Sequence, residues 1–343
     1  MALYKTLRIT SISMKTPGVK TFTLEPLTPD DNFHFQAGQF LTFVFDTPYG
    51  TEERRSYSIS SACPLSITVK RVDNGTYSRM LHDHAQEGDL LRTIGASGFF
   101  VIQEEAVRWK QLFFFAAGVG ITPIFALLPE VLQRFPELNV VLIYSNRDEP
   151  STLFREELKS IQQIHPDRLK IEFLYSSSKN LARARLSKWL LGNLLAEYRT
   201  VAPQEAAYYL CGPFEYMRMI RITLLSGGAP EDRIRTEDFV PLKLIPKELP
   251  PDTQTHNVTI VQGATTISIP VTYPDTILSA AKKAGIPMPY SCESGRCGTC
   301  VARCIEGLVW MAYNEVLPDK EIAEGRVLTC TGYAVGGDVR ILI

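Results

Sequence analysis

The sequence predicts a multidomain protein: an antiparallel β-barrel, an α/β domain with a parallel sheet, and a small C-terminal α+β domain. Three observations carry this reading. Short strand-like runs fill the first third, apolar runs alternate with amphipathic stretches in the second, and a proline-rich segment precedes a cysteine-dense tail. The first region, 1–104, contains "TLRITSISM", "VKTFTLEPL", "QFLTFVFDT", "RSYSIS", "LSITVKRV" and "DLLRTIG". These runs are rich in β-branched and aromatic residues and are separated by Pro, Gly and Asp, which end strands. Six of them with regular turns suit a small closed barrel, interrupted by one short helix near 77–85.

Residues 105–240 change rhythm. "QLFFFAAG", "NVVLIYS", "LKIEFLYS" and "AAYYLCG" alternate with amphipathic stretches near 122–135, 151–163, 183–197 and 213–226. A β-α repeat of this kind makes a parallel sheet. Ser151 and Thr152 are candidate caps for the second helix, and Gly227–Gly228 can end the fourth. "VPLKLIPKELPPDTQT" follows, and 241–255 reads as a stiffened linker. In the last region, 256–343, "NVTIVQGATTISIPV" suits a hairpin turning at Gly263. "DTILSAAKKAG" suits a helix capped by Asp275 and stopped by Gly285.

Composition narrows the function. The chain has 343 residues, 45% of them hydrophobic and 21% charged, which is ordinary for a globular protein with more than one core. A net charge of −1 gives no electrostatic footprint for nucleic acid or an acidic membrane. The longest apolar run, residues 112–132, is interrupted by Gly118, Gly120, Pro123 and Pro129, and so fits a strand, a glycine turn and a helix better than a membrane span. The N-terminus lacks the apolar block of a secretory signal. A cytoplasmic monomer is expected. Seven cysteines, four of them within 292–304, argue for reduced thiols that bind something.

"SCESGRCGTC", residues 291–300, together with Cys330, gives C-x4-C-x2-C followed by a gap of 29 residues and a fourth cysteine. The first part is the plant-type spacing for a [2Fe–2S] cluster, with Cys292, Cys297, Cys300 and Cys330 as ligands. Gly295 and Gly298 let the backbone approach such a cluster and aim N–H groups at its sulfurs. The alternative is a structural zinc site, but zinc ribbons present two short cysteine pairs rather than three cysteines in one loop. Cys304 reads as a core thiol outside the ligand set.

"YSCESGRCGTCVARCIEGLVWM…VLTC" resembles the C-terminal ferredoxin domain of the ferredoxin–NADP⁺ reductase superfamily, in the oxygenase-reductase branch that carries its plant-type ferredoxin last. The resemblance covers nearly the whole chain. It implies an FAD barrel, an NAD(P)H domain and a β-grasp ferredoxin domain, in that order.

Within "RRSYSIS" the family's R-x-Y-S flavin motif falls on Arg55, Tyr57 and Ser58. An aromatic ring can stack on the isoalloxazine, an arginine can pair with phosphate, and a hydroxyl can sit near N5. "VKRVDNGTYSRML" resembles the pyrophosphate segment, which places Lys70, Gly75, Thr76 and Ser78 at FAD before a helix N-terminus. FMN is the alternative flavin. "AAGVGITP" lies between a strand and a helix, and with the later "YLCGPFEYM" it is much more specific than a bare G-x-G. The resemblance puts Gly118, Gly120 and Thr122 at the ribose and pyrophosphate of NADPH or NADH, and Cys211, Gly212 and Pro213 near the nicotinamide. In "YSNRDE", Ser145 and Arg147 favour a 2′-phosphate, and so NADPH, although Asp148 and Glu149 follow. In "RTEDF", Glu237 and Phe239 match residues that lie at the flavin in plant-type relatives. Ser58, Cys211 and Glu237 are thereby the candidates at the reacting centre. His82 and His84, beside the flavin segment, read as polar face and not as ligands.

The reading is an NAD(P)H-dependent reductase passing electrons through FAD and [2Fe–2S] to a separate acceptor protein: an oxygenase, a flavodoxin or a ferredoxin. The electron-transfer subunit of dihydroorotate dehydrogenase is a rival with a much shorter final cysteine gap. A non-catalytic flavin and iron–sulfur redox sensor is another.

Overall fold

A computed structural model describes residues 4–47, 51–239 and 249–343. The chain divides into two compact units. One holds residues 6–96 and 100–239; the other takes in the C-terminal sheet together with residues 97–99.

In the first unit, β1 (Lys5–Thr16), β2 (Val19–Pro26), β3 (Phe40–Asp46), β4 (Glu52–Ala62), β5 (Leu65–Lys70) and β6 (Leu90–Ser97) close a barrel in the order β1-β2-β5-β4-β3-β6. The expected six-stranded antiparallel barrel is therefore present. Phe22, Leu41, Phe43, Ile59 and Ile67 fill it with no exposed surface. Each such side chain contributes about 1.5–3 kcal/mol of hydrophobic stabilisation. The helix α1 (Thr76–Asp83) interrupts the strands between β5 and β6.

The same unit contains β7 (Gln111–Ala117), α2 (Ile121–Arg134), β8 (Asn139–Asn146), α3 (Arg155–Ile164), β9 (Leu169–Tyr175), α4 (Lys188–Tyr198), β10 (Ala206–Cys211), α5 (Phe214–Ser226) and β11 (Ile234–Glu237). The strands form one parallel sheet in the order β9-β8-β7-β10-β11. The run "LFFFAA" is apolar throughout because β7 is buried on both faces. Leu112, Phe114 and Ala116 pack toward α2 and α3, while Phe113 and Phe115 pack toward α4 and α5. The order of winding reverses between β7 and β10, so the crevice at their carboxyl ends is where a ligand belongs.

Two helix starts differ from the sequence expectation. α3 begins at Arg155, and neither Ser151 nor Thr152 caps it. Both fold back on Asp148 instead: Thr152 Oγ1 donates to its carbonyl at 2.9 Å and Ser151 N to its carboxylate at 3.0 Å. α4 begins at Lys188, where Ser187 Oγ accepts from Leu190 N at 3.2 Å. Local side-chain to backbone bonds outcompeted helix in both stretches.

The second unit is built on β12 (His256–Gln262), β13 (Thr265–Val271), α6 (Ile277–Lys283), β14 (Val301–Glu306), β15 (Val309–Met311), α7 (Asp319–Ala323), β16 (Arg326–Leu328), β17 (Gly332–Ala334) and β18 (Val339–Leu342). The main sheet runs β13-β12-β18-β14-β16, with β12 and β18 parallel and the other neighbours antiparallel. Ile277, Leu278 and Ala281 of α6 lie in its core, in a β-grasp arrangement. Thr276 caps α6, accepting from Ser279 N at 3.1 Å. The expected cap, Asp275, binds Ser279 Oγ and Lys283 Nζ instead.

Residues 240–248 lie outside the described residues, so the linker read at 241–255 is described only from Leu249. Its end is anchored within the second unit. Asp252 accepts from Gly336 N at 2.9 Å and meets His256 Nε2 at 2.6 Å.

Candidate functional site

The loops after β7 and β10 touch. Gly120, in the turn between β7 and α2, comes so close to the second loop that a Cβ there would lie 2.3 Å from the Cys211 carbonyl oxygen. A Cβ on Gly212 would lie 2.9 Å from that of Ala117. Only glycine fits such backbone-to-backbone approaches. Tyr144 and Tyr216 fasten the arrangement, donating to the carbonyls of Gly118 and Ala116 at 3.0 and 3.1 Å. Thr122 is buried and donates to Val119 O at 3.0 Å, so its hydroxyl shapes the turn. Gly118, Gly120, Thr122, Cys211, Gly212 and Pro213 thus sit together at the carboxyl end of the sheet, where a dinucleotide could lie.

The barrel supplies the other wall. Cys211 is paired in register with Glu237 of β11, and Glu237 Oε1 lies 3.4 Å from Ser58 Oγ on β4. Burial pushes the Glu237 carboxyl up to about 8, against the smaller pull of the Ser58 hydrogen bond. Burial also holds the Cys211 thiol well above its ordinary value, and the nearby Glu237 and Asp238 carboxyls add to this. Well below pH 8 the Glu237 carboxyl and the Cys211 thiol are both neutral, which suits a hydride transfer that needs alignment more than acid–base chemistry.

On β4, Tyr57 is half-buried, and burial pushes its phenol up to about 12. Arg55 lies over the Tyr77 ring, 5.0 Å from its centroid, and donates to Glu53 at 2.7 Å. No side chain caps α1 at Gly75, so the N–H groups from Thr76 onward can meet an anion. Ser78 differs from the others of this group. Its hydroxyl closes the turn, donating to Gly75 O at 3.1 Å and accepting from Val72 N at 3.2 Å. Lys70 is exposed at the end of β5, and Phe239 is 40% exposed two residues beyond Glu237. These groups fit a flavin whose pyrophosphate meets α1.

At the end of β8, Ser145 Oγ is buried beside the Tyr216 hydroxyl without a hydrogen bond of good geometry. Such an orphaned group fits a site that a bound coenzyme completes. Arg147 is 80% exposed and donates to Asp148 at 3.0 Å. The Asp148 carboxylate is held low by Ser151 and Arg147, so it is engaged in the loop itself.

In the second unit, the cysteine loop lies between α6 and β14, and Cys330 between β16 and β17. Cys292 is within hydrogen-bonding reach of Cys297 and Cys330, and Cys330 of Cys300. The thiols form a chain, Cys297–Cys292–Cys330–Cys300, which divides into the pairs Cys292/Cys297 and Cys300/Cys330. A zinc ion needs four convergent ligands, whereas a binuclear cluster needs two pairs. The residues therefore fit [2Fe–2S]. Gly295 has φ +73°, and a Cβ there would lie 2.6 Å from Tyr313 O. Cys304 is half-exposed rather than buried, with its sulfur directed at the carbonyls of Glu306 and Gly307. His84 is exposed, and His82 packs beside Asp83.

Known proteins match these regions one by one. Residues 6–102 match the oxidoreductase FAD-binding domain, 114–222 the oxidoreductase NAD-binding domain, and 260–335 the 2Fe-2S iron-sulfur cluster binding domain. Together they define an NAD- and FAD-binding iron–sulfur oxidoreductase. The chain is 31% identical over 350 residues to one of the subunits of 1,2-phenylacetyl-CoA epoxidase from Escherichia coli (strain K12), spanning 99% of this chain and 97% of that protein. It is 31% identical to the ferredoxin reductase component of 3-ketosteroid-9-alpha-monooxygenase from Mycolicibacterium smegmatis, spanning 91% and 88%. Phthalate dioxygenase reductase shares the fold, with a TM-score of 0.59 at 23% identity over 99% of this chain and 98% of that one. The chain belongs to the family of reductase components that join FAD-binding, NAD-binding and [2Fe–2S] domains. Among the described residues no helix is long and apolar enough to cross a membrane.

Sequence reasoning missed Tyr144 and Tyr216, which fasten the glycine turn, and the hydroxyls of Ser294, Thr299 and Thr329 around the thiols. A tyrosine on an apolar strand or helix gives no sign of which carbonyl it reaches. The hydroxyls beside the cysteines likewise carry no sign in the sequence of which sulfur or carbonyl they reach.

Proposed function

We propose that this chain draws electrons from NADPH and delivers them to a separate oxygenase protein. When bound, FAD would supply two-electron acceptance from the coenzyme and one-electron release, and a [2Fe–2S] cluster would supply a one-electron relay. The observation that carries the reading is the convergence at one end of the parallel sheet: Gly120 against Cys211, Cys211 beside Glu237, and Glu237 against Ser58. Coenzyme loops and flavin strand are thereby side by side.

Gly118, Gly120 and Thr122 hold the coenzyme's ribose and pyrophosphate, and Cys211, Gly212 and Pro213 shape the nicotinamide end. Tyr57 and Ser58 would hold the flavin ring, with Glu237 keeping a proton beside Ser58. Arg55, Lys70 and the α1 N-terminus with Gly75, Thr76 and Ser78 hold its phosphates and ribityl chain, and Phe239 flanks the ring. Ser145 and Arg147 take the 2′-phosphate. Cys292, Cys297, Cys300 and Cys330 hold the two irons. The relatives named as an epoxidase subunit and a monooxygenase component support an oxygenase as acceptor.

The test is NADPH consumption by the reconstituted chain with a purified oxygenase component from the same source. Acceptor-dependent turnover coupled to substrate oxidation is expected. Turnover with a flavodoxin but with no oxygenase would overturn the choice of partner.

A further inference from the structure

Three hydroxyl side chains surround the cysteine loop, each beside a different cysteine. Ser294 N donates to Cys292 Sγ at 3.4 Å, and the Ser294 hydroxyl lies beside the same sulfur. Thr299 Oγ1 is 3.4 Å from Cys297 Sγ. Thr329 Oγ1 donates to the Cys300 carbonyl at 3.0 Å. Ser294 and Thr299 are each 5% exposed, and Thr329 is fully buried.

Their protons have different destinations. Thr329 donates to a backbone carbonyl, with its hydroxyl also beside the Cys300 sulfur. The Cys297 contact reverses when metal binds, because a coordinated thiolate accepts and cannot donate; Thr299 then becomes the donor. Ser294 is the unusual one. Its Oγ is buried with no hydrogen bond of good geometry. A buried hydroxyl left unpaired is unfavourable, so the site is complete only when an anionic sulfur stands beside it.

Reducing the cluster adds one negative charge to the iron–sulfur unit. A donor aimed at a ligand sulfur stabilises that charge more in the reduced state than in the oxidised one. We propose that Ser294 sets the reduction potential of the cluster, its hydroxyl donating to the Cys292 thiolate once iron is bound, with Thr299 acting on Cys297 in the same way. Ser294 is a positioning residue and ligates nothing. The proposal rests on the cluster assignment above.

The experiment uses the full-length chain as wild type, Ser294→Ala, Ser294→Gly and Ser294→Thr. Iron content is measured first. Midpoint potentials then come from dye-mediated titration, followed by the EPR signal of the reduced cluster. Two irons per chain in the wild type support the cluster assignment, and their absence defeats that assignment rather than the role of Ser294. Given iron, Ser294→Ala and Ser294→Gly are expected to shift to a more negative potential. Ser294→Thr, which keeps the hydroxyl, should stay near the wild-type value. An unshifted potential in an iron-loaded Ser294→Ala or Ser294→Gly overturns the proposal. So does failure of both to hold iron while Ser294→Thr holds it, since the hydroxyl would then serve assembly and not potential.

Discussion

Glu237 Oε1 lies 3.4 Å from Ser58 Oγ, joining the last strand of the parallel sheet to the fourth strand of the barrel. The carboxyl is pushed by burial up to about 8, above the ordinary 4.5. The folded chain therefore holds more protons than the unfolded chain between these values. The stability this group gives is complete below about 4.5 and is lost as pH rises toward 8. Glu237→Gln keeps the neutral acceptor for Ser58 and removes the titration. Its urea midpoint is expected to fall less than that of the wild type between pH 5 and pH 8. Parallel pH profiles would show that Glu237 is not a neutral buried acid.

Gly120 and Gly192 make a matched pair. A methyl group on Gly120 would meet the Cys211 carbonyl, which is backbone and cannot swing away. Gly120→Ala should cost about 1–3 kcal/mol of stability and raise KM for the coenzyme. Gly192 sits exposed inside α4 with open space around its Cβ position. Gly192→Ala should stabilise by about 0.5–1 kcal/mol with KM unchanged. Thermal unfolding and steady-state kinetics on both variants check this; equal behaviour would contradict the loop contact.

Arg147→Ala should weaken NADPH and leave NADH nearly unaffected, because a charge-assisted bond to the 2′-phosphate contributes about 1.5–3 kcal/mol. Calorimetric titration with each coenzyme reads the difference. Equal losses would remove the basis for preferring NADPH.

Much of the fold was legible because periodicity and turn residues agreed. Six alternating runs became the barrel, and the run "LFFFAA" became a strand buried on both faces. Gly263 and Gly285 ended elements where their positions indicated. The starts of α3, α4 and α6 were not legible, since Asp148, Ser187 and Thr276 won local hydrogen-bonding contests among several equivalent polar neighbours. The cysteine spacing and the two glycine motifs were readable because each carries its chemistry in sequence. The meeting of Ser58 with Glu237, 179 positions apart, depends on tertiary packing that no local pattern encodes.

Cys330→Ser should lose the cluster's visible absorption and iron, while Cys304→Ser should keep both. Cys330 lies within reach of Cys292 and Cys300, whereas the Cys304 sulfur faces two backbone carbonyls. Iron analysis and absorption spectra distinguish the two, and the reverse result would mean that the fourth ligand is misassigned.

The central claim is that electrons leave this chain through the cysteine-bound cluster. The direct measurement compares NADPH-driven reduction of ferricyanide and of cytochrome c by the full-length wild type and by full-length Cys330→Ser, both loaded with FAD. Ferricyanide is small enough to take electrons at the flavin, so its rate should survive the substitution. The cytochrome c rate should collapse with the cluster. An unchanged cytochrome c rate in Cys330→Ser protein that has lost its iron would contradict the account.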